Sequence, residues 1–174
     1  PRLSEVRALY AMNGLILGRR DDEHGMRQLT RAVSDDPRSV FCACLNSLGL
    51  LATGRSADAV AEVERACDLA PSAFLPLYLR VCIRAWAGDA DGALAAAKRA
   101  FVVIGRSPWV LIGLPKAYVQ RGEPALAEAM YVELQARAQT EEVSRFVMSI
   151  AADSLGRTDE AIAYGIESVM RCDI

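Results

Sequence analysis

Acid–base, nucleophilic and metal chemistry rest mainly on histidine, cysteine and paired carboxylates, and this chain holds few of them at useful spacing. Its one histidine, His24, ends the charged run Arg19-Arg20-Asp21-Asp22-Glu23-His24 that leads into a helix, which marks it as a solvated residue near a helix start rather than a base. Cys42 and Cys44 stand two apart on a predicted helix and so point to different faces. Cys82 could approach Cys44 across adjacent helices, but zinc wants four ligands and no second cluster is visible, so these thiols read as small buried hydrophobes. The acidic pairs Asp21-Asp22, Asp35-Asp36 and Glu141-Glu142 sit beside helix starts or ends, where solvated surface is the plain expectation. The glycines come singly, so no phosphate-cradling loop is formed. No catalytic residue, metal or cofactor is expected, and the chain does not read as an enzyme.

The elements that must position any site are helical. The 174 residues include 29 Ala but only 4 Phe, 5 Tyr and 2 Trp, a small-residue mixture that favours close helix packing over sheets. With 20 Lys and Arg against 22 Asp and Glu, the net charge of -2 offers no surplus of positive charge to a nucleic acid or an anionic membrane. The apolar stretches around Phe41–Ala52 and Phe101–Gly105 fall short of the roughly 18 to 20 residues of a membrane span. Five cysteines, the fifth being Cys172, are an odd number in a chain large enough to fold without staples, so a reducing cytoplasm is expected. Residue 1 is proline, so an initiator methionine has been removed or the chain is a piece of a longer protein.

An internal repeat organises the sequence. Gly54, Gly88, Gly122 and Gly156 are spaced by 34 residues each time, and five residues after each stands Ala59, Ala93, Ala127 or Ala161. A degenerate first copy places Arg20 and Gly25 in these two columns. A second column of mostly small residues reads Ala32, Ala66, Ala100, Leu134 and Ser168, and a closing column reads Pro37, Pro71, Gly105, Gln139 and Ile174. The units run approximately over 6–39, 40–73, 74–107, 108–141 and 142–174 within one array, 1–174. Each unit makes two helices: the glycine ends the first in the left-handed conformation, and a polar residue starts the second. The segment Asp58–Leu69 shows the pattern, with Val60, Val63, Ala66 and Cys67 on one face and Glu62, Glu64, Arg65 and Asp68 on the other.

A 34-residue period with Gly at the turn, small residues on the second helix and Pro at the close resembles the tetratricopeptide repeat over the whole chain, most clearly in Gly54-Arg55-Ser56-Ala57-Asp58-Ala59 and Gly156-Arg157-Thr158-Asp159-Glu160-Ala161. The resemblance implies an all-α, right-handed solenoid of about ten helices. It departs from the family at the bulky aromatic of the first helix, here Leu9, Ala43, Leu77, Leu111 and Arg145. The run from Arg106-Ser107-Pro108-Trp109 through Gly156-Arg157-Thr158-Asp159-Glu160-Ala161 also resembles the repeat arrays that follow catalytic or DNA-binding domains in bacterial nucleotide cyclases, kinases and transcription regulators, which implies a sensory or scaffolding region.

In that family the first helices line an inner groove, so the resemblance implies a partner-binding face at Tyr10, Phe41, Cys44, Tyr78, Cys82, Trp86, Trp109, Ile112, Lys116, Phe146 and Ile150. Family members that capture a chaperone's C-terminal carboxylate use Lys, Asn and Arg in these columns. Here they are mainly apolar, which suits a protein segment with hydrophobic anchors. Pro115, inside the first helix of the fourth unit, is expected to kink or break it, eased by Gly113. A small-ligand sensor or enzyme with a pocket at that kink, built from Cys82, Trp86, Trp109 and Lys116, is the alternative. The last helix, Thr158–Cys172, carries Ile162, Ile166, Val169 and Met170 with nothing following to cover them. A second copy, as in a homodimer through this helix, or further sequence is expected there.

Overall fold

The computed structural model describes residues 2–16, 22–140 and 143–171. Among them the regular elements are all α-helices: α1 (Arg2–Ile16), α2 (Asp22–Asp35), α3 (Val40–Ala52), α4 (Ser56–Leu69), α5 (Phe74–Trp86), α6 (Ala90–Ile104), α7 (Pro108–Leu111), α8 (Leu114–Gln120), α9 (Pro124–Arg137), α10 (Arg145–Ser154) and α11 (Thr158–Arg171). Apart from the split of one helix into α7 and α8, they alternate as two helices per 34 residues. Cys172, Ile174 and the pair Glu141-Glu142 lie outside the described residues, as do Arg19, Arg20 and Asp21.

The four repeat glycines end their helices by one device. Gly54, Gly88, Gly122 and Gly156 have φ of 78°, 87°, 73° and 73°, a left-handed backbone that a side chain disfavours. In each turn the glycine N–H donates to the carbonyl three residues back, and the next N–H donates to the carbonyl five residues back. The pairs are Leu51 and Leu50 for the first, Ala85 and Arg84 for the second, Val119 and Tyr118 for the third, Asp153 and Ala152 for the fourth. Two otherwise unpaired helix-end carbonyls are thereby satisfied at every turn. First helices start on hydroxyl caps: the Oγ atoms of Ser39, Ser107 and Ser144 accept from the N–H groups of Cys42, Trp109 and Phe146 at 3.2, 3.3 and 3.2 Å.

The small columns are the packing seams. Gly25, Ala59, Ala93, Ala127 and Ala161 are all buried, as are Ala32, Ala66, Ala100, Leu134 and Ser168. Small side chains there let a second helix lie close against its own first helix, as α2 does on α1, α4 on α3, α9 on α8 and α11 on α10.

The contacts divide the chain into two compact units, Pro1–Ile83 and Arg84–Ile174, with the division inside α5. In the first, one cluster joins Ala8, Ala11 and Met12 of α1 to Leu29 and Ala32 of α2 and Cys42 and Leu45 of α3. A second joins Ala43, Cys44 and Leu50 of α3 to Ala59, Val63 and Ala66 of α4 and Leu79 and Ile83 of α5. Cys42 and Cys44 thus enter different clusters, as two positions about 200° apart on a helix must. In the second unit, Ala85, Ala93 and Ala117 form a cluster against which Trp86 and Leu94 pack, and Tyr131, Leu134, Val147 and Met148 are fully or almost fully buried.

The expected break at Pro115 is present: α7 stops at Leu111 and α8 starts at Leu114. Pro115 therefore falls in the first turn of α8, where its missing N–H costs little. Gly113 does not ease the break through special freedom, since its φ of -82° and ψ of -15° are ordinary for any residue.

Candidate functional site

The expected groove residues divide between the two units. In the first, Tyr10 projects from α1 more than half exposed, while Phe41 is part-buried against the α1–α3 cluster. Tyr78 packs on the α3–α5 cluster with its ring centroid 5.3 Å from that of Phe74, and Cys82 is part-buried. Cys44 is a correction to the groove expectation. It is wholly buried between α3 and α4, because its column points into the junction rather than away from it.

Burial also sets the thiol chemistry. Loss of hydration, with smaller repulsions from Cys67 and Glu62, pushes the Cys44 thiol up to about 12. Burial does the same for Cys82, also to about 12. Tyr78 rises to about 12 by burial and by its proximity to Cys82 and Cys44. Protonated thiols are poor nucleophiles and poor metal ligands. Among the described residues no three His, Cys, Asp or Glu side chains come together as a metal would require. His24 sits part-buried in the first turn of α2.

In the second unit the structure does gather expected residues. Trp86 and Ile150 line one hollow of about 410 Å³ together with Ser149, Asp153, Thr158, Ala161, Ile162 and Gly165. Phe146 lies one helical turn before Ile150 on α10, and its ring centroid is 6.2 Å from that of Trp109. Trp109, Phe146 and Ile150 thus form a strip that runs into the hollow. Gln120 of α8 donates from Nε2 to the carbonyl of Ala85, the residue before Trp86, at 2.7 Å. Lys116 is part-buried on α8. Ile112 is almost fully buried beside the helix break and offers no surface, a second correction.

Gly165 explains why the hollow exists. Its column in the 34-residue frame reads Leu29, Val63, Ala97, Tyr131 and Gly165; the first four are buried, and the larger Leu29, Val63 and Tyr131 fill their places, whereas Gly165 leaves its place empty. A Cβ added there would meet only Ser149 Oγ, at 3.4 Å. Ser149 in turn donates from Oγ to the Ala161 carbonyl at 2.8 Å. Sequence reasoning missed Gly165, although the column was there to be read.

A second hollow, about 670 Å³, lies against Leu114 and Tyr118 of α8 and Lys98 and Phe101 of α6. Its Arg121 is held by Asp91 at 2.6 Å and Glu123 at 2.8 Å. None of Cys82, Trp86, Trp109 and Lys116 lines it, so the four residues expected to build a pocket at the kink do not build this one.

Solved structures match most of this chain. The crystal structure of TTC0263, a thermophilic tetratricopeptide protein of Thermus thermophilus, superimposes with a TM-score of 0.69, covering 96% of this chain and 90% of that one at 17% identity. The fold is that of a tetratricopeptide repeat. A tetratricopeptide repeat protein from Parabacteroides merdae matches at a TM-score of 0.62 and 16% identity, over 94% of this chain and 64% of that one. MamA matches at 0.54 and 17%, over 86% and 88%. No family model matches the sequence, and no curated protein matches it in sequence. The tetratricopeptide likeness thus rests on structure and on the repeat itself, and at these identities it speaks for the fold alone. Among the described residues no helix is long and apolar enough to cross a membrane.

Proposed function

We propose that the chain is a non-enzymatic interaction module, one array over 1–174, whose first helices bind a segment of another protein through apolar anchors. The observation that carries this reading is the hollow at Gly165: a site walled by Trp86, Ile150 and Ile162, approached along Trp109 and Phe146, has the size and lining for one aliphatic or aromatic side chain of a partner. Asp153 at its edge favours a cationic residue next to that anchor. Buried thiols at Cys42 and Cys44, neither in a disulfide, suit a reducing compartment, the cytoplasm, and the likeness to bacterial signalling arrays suits a sensory or scaffolding role.

Panning a displayed random-peptide library against the protein, followed by fluorescence polarisation with the selected peptides, tests the reading. Selected peptides should carry an apolar anchor, and Gly165→Leu, which fills the hollow, and Trp109→Ala should each weaken their binding at least tenfold. Peptides that bind both variants as tightly as the parent protein would refute the assignment.

A further inference from the structure

We propose that the furrow between α6 and α9, floored by α8, is a second binding site, for a small amphipathic monocarboxylate such as an alkanoic acid, with Lys98 taking the carboxylate. Its lining runs from Asp91 to Leu126, inside one compact unit, and neither α1 nor α11 contributes to it. It shares no residue with the hollow at Gly165. Its volume of about 670 Å³ falls within the roughly 300–1,000 Å³ of small-molecule sites.

The 34-residue frame shows why Lys98 stands alone. Down the chain, corresponding positions of a second helix and the next first helix read Thr30 with Asn46, Glu64 with Arg80, Lys98 with Leu114 and Val132 with Met148. Glu64 and Arg80 satisfy each other at 2.7 Å. One repeat later the acid has become a cation and its partner a leucine. The Asp91–Arg121 bridge, at 2.6 Å, sets the register: seven residues on from Asp91 and seven back from Arg121 bring Lys98 opposite Leu114, and both line the furrow. Lys98 is exposed and has no hydrogen-bond or ion-pair partner among the described residues.

Apolar surface surrounds this cation, supplied by Leu94, Phe101, Leu114, Tyr118 and Leu126. Both ends of the furrow are bridged. At one, Arg121 also reaches Glu123 at 2.8 Å, so two carboxylates share one guanidinium and repel a third. At the other, Arg106 lies over the Phe101 ring, 4.6 Å from its centroid, and is neutralised by Glu133 of α9, to whose Oε1 its Nε donates at 3.2 Å. An incoming carboxylate is thus left with Lys98. From Asp91 to Phe101 the furrow runs about 15 Å at 1.5 Å per residue, room for about four residues of extended chain, and the arginine bridges stop a longer one from running on. A small molecule suits that compartment better than a peptide.

Calorimetric titration of the whole chain with octanoate, octanol and octylamine tests the assignment. Octanoate should bind once per chain, about fivefold more tightly than octanol, near the upper end for an exposed ion pair. Lys98→Gln should erase that advantage, and Lys98→Glu should reverse the preference, octylamine then binding more tightly than octanoate. Ala95→Trp, which fills the furrow from an exposed position on α6, should abolish binding of all three, with helicity checked by circular dichroism. Octanoate that does not bind, that binds no better than octanol, or that is indifferent to Lys98→Glu overturns the proposal. So does octanoate binding that is lost in Gly165→Leu and kept in Ala95→Trp, which would put the ligand in the other hollow. A peptide with a free C-terminal carboxylate that binds through Lys98 where octanoate fails would make the occupant a polypeptide and overturn it as well.

Discussion

The guanidinium of Arg157 lies over the ring of Tyr131, 4.7 Å from its centroid, while its Nη2 donates to both carboxylate oxygens of Glu128 at 2.7 and 2.8 Å. Arg157 follows the turn glycine Gly156, and Tyr131 and Glu128 belong to α9, so this one side chain ties the α10–α11 turn to the preceding second helix. Arg157→Ala should lower stability by about 1 kcal/mol, the sum of a partly exposed cation–π contact and an exposed ion pair, read as a shift in the urea midpoint. Arg157→Lys should recover less than half, because an ammonium has no planar group to lie over the Tyr131 ring while a second nitrogen reaches Glu160, as Nη1 does at 3.4 Å. Equal stability of all three proteins would show the contact to be idle.

Replacing a repeat glycine tests the turn device by itself. Nothing lies within 4 Å of a Cβ built on Gly122, so Gly122→Ala meets no steric obstacle and its cost is purely that of a left-handed backbone, about 1–2 kcal/mol. Gly122→Asn should cost less, since asparagine tolerates that conformation. Thermal denaturation should rank the proteins glycine, asparagine, alanine.

Gly165 predicts the opposite sign. It lies inside α11 in an ordinary helical backbone with room for a methyl, so Gly165→Ala should stabilise the fold by about 0.5–1 kcal/mol. Paired with weaker peptide binding, that gain would show that the hollow is kept at a cost to the fold. A destabilised Gly165→Ala protein would mean that the helix is packed more tightly there than its surroundings indicate.

The buried thiols set an alkaline limit. The fold raises Cys44 and Cys82 from 9.0 to about 12, so it favours the neutral forms; this contribution is fully present below 9.0 and is lost as pH climbs toward 12. Urea midpoints should hold between pH 7 and 9 and fall above it, with less fall in a Cys44→Ala, Cys82→Ala protein. At pH 8 a thiol reagent should modify Cys44 only slowly until denaturant is added.

The repeat was legible because its signals are local. A glycine that must adopt a positive φ and a small residue where two helices touch are dictated within a few residues, and all four glycines and both small columns fall where the 34-residue frame puts them. The break at Pro115 was legible for the same reason. The groove was less so, because exposure depends on which neighbour covers a face. Cys44 and Ile112 share a column with Tyr10, Tyr78 and Phe146, but only the latter three keep surface. The hollow at Gly165 went unread since a missing side chain leaves no motif; only comparison down the column with Leu29, Val63, Ala97 and Tyr131 shows that something is absent.

Each glycine turn is sealed by bonds that never leave six consecutive residues, and a Cβ placed on its glycine would meet nothing from the rest of the chain within 4 Å. Such a seam carries no record of how many hairpins stand on either side of it. A duplicated or deleted block of 34 residues could therefore be spliced there with its local geometry intact, which makes the length of this protein a quantity that mutation can change in whole steps.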